Sequence, residues 1–116
     1  MKLVRRAAHA GLWYSANPVE LDMELTRNLQ DAERKVDSAK NTLKAIIGPH
    51  AGLRYSGPNA AWGYKNIDPA KYDRVFLIGP SHKVYLDFIA TTLCSEYETP
   101  LGNLPIDMEV VKELCG

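Results

Sequence analysis

Two segments of the chain share one order of residues: an apolar run, then Gly-Pro, then a histidine. One covers residues 45–50 (Ala-Ile-Ile-Gly-Pro-His) and the other residues 76–82 (Phe-Leu-Ile-Gly-Pro-Ser-His). Short apolar runs rich in β-branched residues are typical of buried strands, and Gly-Pro ends such strands sharply. The small residues between Tyr55 and Lys65 suit a helix. The order therefore predicts a β-α-β unit, with parallel strands near 43–48 and 74–79.

Each of the two histidines, His50 and His82, then follows the carboxyl end of a parallel strand. Open α/β sheets bind their ligands at that edge, and neighbouring strands lie about 4.8 Å apart. We therefore expect both imidazoles, which can bind one metal ion, to face one cavity. The alternative is that each histidine is an ordinary loop residue or a half-buried, hydrogen-bonded one.

Two histidines do not complete a metal site. Zinc takes three or four protein ligands, and non-haem iron commonly takes two histidines and a carboxylate. The nearby carboxylates Asp87, Glu96 and Glu98 are more simply read as solvated loop or edge-strand residues, and Cys94 as a core residue.

The rest of the chain predicts further helices and one more strand. Asn17 suits a helix N-cap, with Pro18 at the first helical position and Glu20 completing a capping box. That helix should end before Asn41. We also predict a strand at 88–93, a loop at 98–105 and a helix capped by Asp107. Together these elements indicate one α/β domain over residues 1–116, with a parallel or mostly parallel sheet and flanking helices.

An α/β sheet usually needs more strands than these. We therefore expect a truncated domain that leaves an apolar face of its sheet or last helix uncovered.

An aromatic segment precedes the first helix. Trp13 is a candidate for lining the pocket, with packing onto the sheet as an equal alternative, whereas packing is favoured for Tyr14 and a structural role for His9. Ser81 beside His82 suggests a nucleophile and its base, but adjacent side chains diverge and no third group is evident.

Composition excludes several classes of protein. Lys plus Arg and Asp plus Glu both number 14, so the net charge is zero and a general nucleic-acid binder is disfavoured. No apolar run reaches the roughly 20 residues of a membrane helix, so we expect no membrane insertion. Two cysteines are too few for a disulfide framework, which favours a reducing, cytoplasmic setting.

Several motifs together resemble the Memo family (mediator of cell motility). They run through nearly the whole chain, in the family's order: His-Ala-Gly-Leu-Trp-Tyr at 9–14, Ile-Ile-Gly-Pro-His-Ala-Gly at 46–52, Tyr-Ser-Gly at 55–57, Ala-Ala at 60–61, Tyr-Lys at 64–65, Phe-Leu-Ile-Gly-Pro-Ser-His at 76–82 and Tyr-x-Thr-Pro-Leu-Gly at 97–102. The chain looks like the N-terminal part of such a protein.

The resemblance implies a fold similar to class III extradiol dioxygenases and a pocket that binds copper or iron. It places the first two metal-pocket histidines on His50 and His82, and a pocket-bordering aromatic residue on Trp13. It also implies a cytosolic signalling protein, with a nuclear pool as a further location, that links phosphotyrosine-containing partners to the cytoskeleton and cell motility.

Two features depart from the family. Lys83 occupies a position where many members have a second histidine, and members are well over twice this length, with their remaining pocket residues outside this chain. Two functions stay open: an interaction protein with a metal-capable pocket, or a metal-dependent oxidoreductase that uses dioxygen. The third metal ligand would separate them, because a carboxylate favours ferrous chemistry and a cysteine favours copper or a redox role.

Overall fold

The computed structural model describes residues 2–116. Its elements are three α-helices, one 3₁₀ turn and three two-residue strands. The helical elements are α1 (Pro18–Asp31), α2 (Leu53–Tyr64), the 3₁₀ turn (Pro69–Lys71) and α3 (Met108–Cys115). The strands are β1 (Val4–Arg5), β2 (Glu96–Tyr97) and β3 (Leu104–Pro105). The presence of both helices and strands confirms the predicted α/β class.

Helix α1 begins where its capping residues predict. The Asn17 side chain accepts hydrogen bonds from the backbone N–H groups of Val19 (2.9 Å) and Glu20 (3.3 Å). Ser15 modifies the predicted capping box: it accepts the Asn17 N–H (3.1 Å) and donates to the Glu20 carboxylate (2.8 Å). The helix then ends at Asp31, because the polar stretch that follows has no apolar stripe to hold it against a neighbour.

The Asn17 cap provides a first test of the fold. Asn17→Ala should lower the free energy of unfolding by about 1 kcal/mol, because two backbone N–H groups lose their acceptor. Asn59→Ala is the matched control, since Asn59 is exposed inside α2 and alanine is the better helix former there. Urea unfolding followed by circular dichroism measures both variants. Equal losses of stability would contradict the cap.

The packed part of the protein is the contact between α1 and α2. The buried apolar residues of the described chain are Leu21, Ala32 and Ala61. Asn66 joins the two helices beyond the core: its side-chain oxygen accepts from the N–H groups of Lys35 (2.7 Å) and Val36 (2.8 Å). Its amide nitrogen donates to the Trp62 carbonyl at 2.7 Å. The core is therefore small and lies where α1 and α2 meet.

The sheet is mixed. Strand β1 pairs with β2 in parallel, with Val4 opposite Glu96, and β2 pairs with β3 antiparallel, with Tyr97 opposite Leu104. The prediction of a parallel or mostly parallel sheet is thus wrong, because one of the two strand pairs is antiparallel. The ladder joins residues near the start of the chain to a hairpin that closes in the Thr-Pro-Leu-Gly turn, and part of the predicted loop at 98–105 is strand β3.

The predicted strands at 43–48, 74–79 and 88–93 are not strands in the described chain, so the predicted parallel pair is wrong. A strand needs a neighbour that accepts and donates backbone hydrogen bonds. Among residues 2–116, no backbone–backbone hydrogen bond involves these three segments. These segments are apolar, as predicted, but residues 2–116 supply no neighbouring strand for them to pair with.

Helix α3 begins at its predicted cap. The Asp107 side chain accepts from the Val110 N–H at 3.2 Å, and the Arg74 guanidinium donates to its other oxygen at 2.7 Å. The Arg74 hydrogen bond, with the backbone one, lowers the pKa of Asp107. This ion pair fixes the start of the 74–79 segment to α3.

Candidate functional site

The structure brings His50 and His82 together. Their Nε2 atoms are 3.3 Å apart, their ring centroids 5.3 Å apart, and their planes differ by 36°. Both side chains are exposed, so residues 2–116 do not enclose them in the predicted cavity. The two Gly-Pro-containing segments therefore converge at their histidines although the strands before them are not formed.

The start of α2 positions His50. The first helical residue, Leu53, donates its N–H to the Trp13 carbonyl at 2.7 Å. Ser56 is buried, and its hydroxyl donates to the carbonyl of Ala51 at 2.8 Å. A Cβ added at Gly52 would lie 3.5 Å from the Trp13 carbonyl oxygen. The loop that carries His50 is therefore held between the N-terminal segment and the first turn of the helix.

Trp13 contacts this loop through its backbone. Its indole packs edge-on against the His9 imidazole, with ring centroids 5.5 Å apart, and remains 48% exposed. His9, for which a structural role is expected, thus contacts the Trp13 indole. The expected position of the Trp13 ring on the rim of a pocket stays a prediction.

His82 follows a serine that is engaged elsewhere. The Ser81 hydroxyl donates to the carbonyl of Val84, two residues past His82. A hydroxyl bound in this way shapes the turn and is not hydrogen-bonded to the imidazole, which agrees with setting aside a nucleophile–base pair.

The spacing of the two imidazoles fits a shared metal ion. Two nitrogens each about 2.0–2.1 Å from a tetrahedral metal lie about 3.3–3.4 Å apart, by the geometry of such sites. The observed separation of 3.3 Å matches that value. Within residues 2–116, no group of three or more His, Cys, Asp or Glu residues could hold a metal ion. Within residues 2–116, the structure thus brings together two imidazoles at a spacing that a shared metal ion or a direct hydrogen bond would both allow.

Two of the carboxylates weighed as further ligands are committed to other contacts. Glu96 pairs with Lys2 and accepts from Asn103, and the Lys2 hydrogen bond lowers its pKa. Glu98 pairs with Arg6 at 2.9 Å and accepts from the Ala7 N–H at 3.0 Å. Both carboxylates stabilise the β1–β2 ladder and its continuation.

A shallow groove of about 210 Å³ lies along that ladder and was missed by sequence reasoning. Its lining includes Arg5, Tyr97, His9 and Tyr14, and the Arg5 guanidinium carbon lies 5.0 Å from the centroid of the Tyr97 ring. Two-residue strands give no periodic signal, so no sequence pattern indicated that these segments meet.

None of the helices within residues 2–116 has the length and hydropathy needed to cross a membrane.

Comparison with known proteins supplies the family. A family model described as Memo-like protein matches residues 5–116. The chain is 44% identical over 110 residues to the Protein memo-1 homolog of Caenorhabditis elegans. The aligned region covers 95% of this chain and 30% of that protein. Protein MEMO1 of Xenopus laevis is 44% identical, and that of Homo sapiens 43%, each over 95% of this chain and 36% of the relative.

The chain spans about a third of the length of these curated relatives. The family match, by contrast, runs through nearly all of the chain and includes both Gly-Pro-containing segments, their histidines and Trp13. The chain therefore belongs to the Memo-like family.

Proposed function

We propose that this chain is part of a Memo-like interaction protein whose metal-capable site, at His50 and His82, receives phosphotyrosine-containing partners in the control of cell motility. The observation that carries the proposal is the convergence of two exposed Nε2 atoms at 3.3 Å. Family membership supports it, because the family's name refers to motility. Copper or iron is the proposed metal, in a cytoplasmic protein that also occurs in the nucleus.

His50 and His82 would hold the metal through their Nε2 atoms. When bound, the ion would supply a positive charge that attracts a phosphate oxygen. The chain's own contribution is orientation: the Trp13 carbonyl and the buried Ser56 hold the loop that carries His50. Because this loop runs directly into α2, the positive end of that helix lies three residues from His50.

The start of α2 adds a second feature suited to an anion. Its N-cap is Gly52, with no side-chain hydrogen bond at the cap, and its first turn carries Arg54 and no acidic residue. Because the Leu53 N–H is already bonded to the Trp13 carbonyl, the helix start would attract a phosphate group mainly through its dipole and through Arg54. A phosphotyrosine near His50 would therefore meet the helix end as well as the metal.

Peptide binding tests this function directly. In the presence of copper, the chain should bind a phosphotyrosine peptide about tenfold more tightly than the unphosphorylated peptide, the effect of one or two charge-assisted hydrogen bonds. His82→Ala should remove most of that difference, whereas His9→Ala, at the edge of Trp13, should keep it. Isothermal titration calorimetry measures all three proteins. Equal affinity for the two peptides would contradict the proposal.

The second candidate is a metal-dependent oxidoreductase related to extradiol dioxygenases. The paired imidazoles favour it, because two histidines are two of the three ligands in a typical ferrous oxygenase site. Oxygen uptake with a catechol, after loading with ferrous iron, separates this candidate from peptide docking. Peptide binding without oxygen uptake supports the first function only.

A further inference from the structure

Two stretches of the chain lead to the paired histidines, and side-chain contacts join them at both ends. They are residues 43–50 and 72–82, here called the first and the second stretch. At one end the two imidazole Nε2 atoms lie 3.3 Å apart. At the other end the Tyr72 hydroxyl donates to the Leu43 carbonyl at 2.6 Å. Within the described chain, no other hydrogen bond joins the two stretches.

The turn before Tyr72 directs the chain back toward the first stretch. Asp68 caps the 3₁₀ turn with its side chain, and the Tyr72 N–H closes the turn on the Pro69 carbonyl at 3.4 Å. The preceding residue, Lys71, donates from Nζ to the Ser38 carbonyl. Two consecutive side chains therefore reach the backbone that runs into the first stretch, and Tyr72 is the one that contacts its first residue.

The hydrogen bond from Tyr72 lies in a partly protected place. Tyr72 and Leu43 are both half-buried. Among residues 2–116 no backbone N–H donates to the Leu43 carbonyl, so the tyrosine hydroxyl is its donor. A hydroxyl–carbonyl distance of 2.6 Å lies within the normal range for such bonds. Loss of a bond of this kind changes an equilibrium constant about fivefold.

Helix α2 supports the first stretch between its two ends. A Cβ added at Gly63 would lie 3.8 Å from Cδ1 of Ile46, and one added at Gly48 would lie 4.0 Å from the Tyr64 ring. The stretch therefore runs along the C-terminal part of α2. Because no backbone ladder fixes its register there, its position along the helix depends on the contacts at its ends.

The second stretch is attached to a different helix. Arg74, two residues after Tyr72, donates from Nε to the Asp107 carboxylate at 2.7 Å, and Asp107 caps α3. The Tyr72 hydroxyl thus connects a stretch supported by α2 with a stretch anchored at α3. Without that contact, only the imidazoles themselves would hold the two stretches at a fixed offset.

We propose that Tyr72 is a positioning residue for the histidine pair. Its hydroxyl sets the offset between the two stretches, and so brings the imidazoles of His50 and His82 to a spacing that fits a shared metal ion. The inference rests on the proposed function for the role of that metal, but the approach of the imidazoles is measurable without one. Phenylalanine keeps the ring and lacks only the hydroxyl, so Tyr72→Phe isolates the contact.

Nuclear magnetic resonance of the metal-free chain gives the first measurement. Ring protons of His50 and His82 should show a nuclear Overhauser contact, since the ring centroids lie 5.3 Å apart. Single alanine variants of the two histidines assign the signals. Tyr72→Phe should weaken the contact at least about twofold. Tyr85→Phe is the matched control and should keep it, because Tyr85 is 90% exposed and its side chain makes no hydrogen bond within the described chain.

Copper binding gives the second measurement. In competition with a chelator, Tyr72→Phe should bind copper about fivefold more weakly than the wild type. Electron paramagnetic resonance should show fewer copper ions with two nitrogen ligands. Asn17→Ala controls for lost stability, because it removes hydrogen bonds at the start of α1. That variant should keep both the ring contact and the copper affinity.

Three results would overturn the inference. They are absence of the ring contact in the wild type, a Tyr72→Phe variant that keeps the wild-type contact or copper affinity, and an equal loss in Asn17→Ala. If the wild type shows the ring contact and binds no copper, the metal-capable site of the proposed function fails. The ring contact alone then decides the role of Tyr72.

Discussion

Adding one methyl group at Gly57 is expected to lower the free energy of unfolding by about 1–3 kcal/mol, the usual cost of overpacking a tight contact. Gly57 is buried on α2 where that helix meets α1. A Cβ at this position would lie 2.7 Å from the Asn28 amide nitrogen and 3.0 Å from a methyl carbon of Leu53. Real side chains do not sit that close, so Asn28 would have to move.

Asn28 has little freedom to move. It is 8% exposed, and its amide nitrogen has no hydrogen-bond partner within the described chain. The residue therefore fills the joint between the helices by its shape and gains no hydrogen bond from that nitrogen. Pushing it aside would part the two helices that form the packed core.

Gly63→Ala is the matched control for Gly57→Ala. Gly63 lies on the same helix, and a Cβ there would meet only the Ile46 side chain, at 3.8 Å and beyond. Alanine in place of a helical glycine should therefore stabilise the chain by about 0.5–1 kcal/mol. Urea unfolding followed at 222 nm measures both variants. If both substitutions stabilise the chain, the close contact at Gly57 is wrong.

The helices could be predicted because their signals are local. Asn17 and Asp107 cap the helices that they were expected to cap, and the small residues between Tyr55 and Lys65 do form α2. An N-cap bond involves residues two or three positions apart, so the sequence itself contains both partners. The end of α1 was less predictable, because polar residues continue a helix only where tertiary contacts support it.

The sheet could not be predicted for the opposite reason. Strand pairing depends on partners far apart in the chain. Strands β1 and β2 bring Val4 beside Glu96, and no alternation of apolar residues in the sequence predicts this pairing. Strong strand signals are present at 43–48, 74–79 and 88–93, yet within residues 2–116 no backbone–backbone hydrogen bond pairs these segments with a neighbouring strand. Local propensity predicts which segments can become strands, and the available neighbours decide which ones do.

The convergence of the histidines was predicted from parallel strands that are not formed. Both histidines follow a Gly-Pro pair, and the start of α2 and the Trp13 carbonyl hold the loop that carries His50. Proline and glycine fix the direction in which each chain leaves its apolar segment. The 3.3 Å approach joins segments 32 residues apart, so local turn signals alone do not determine it.

Replacing either histidine of the pair should weaken metal binding by the chain about tenfold or more, because a chelating pair of ligands becomes a single one. His50→Ala and His82→Ala should have nearly equal effects, and the double variant should lose little beyond either single change. Each imidazole contributes mainly when the other is present, as their 3.3 Å separation implies. Competition of the chain with a chelator for copper, and separately for ferrous iron, measures the affinities.

The third histidine provides the control. His9 stacks edge-on against Trp13, and His9→Ala should leave metal affinity unchanged. Because His50 and His82 are both exposed and outside the α1–α2 core, neither substitution should alter the helix signal in circular dichroism. Equal loss of affinity in His9→Ala would mean that any imidazole of the chain binds copper. In that case the close approach of His50 and His82 has no chelating role. Of the proposed function, only the binding of a phosphotyrosine peptide at the start of α2 would then be left.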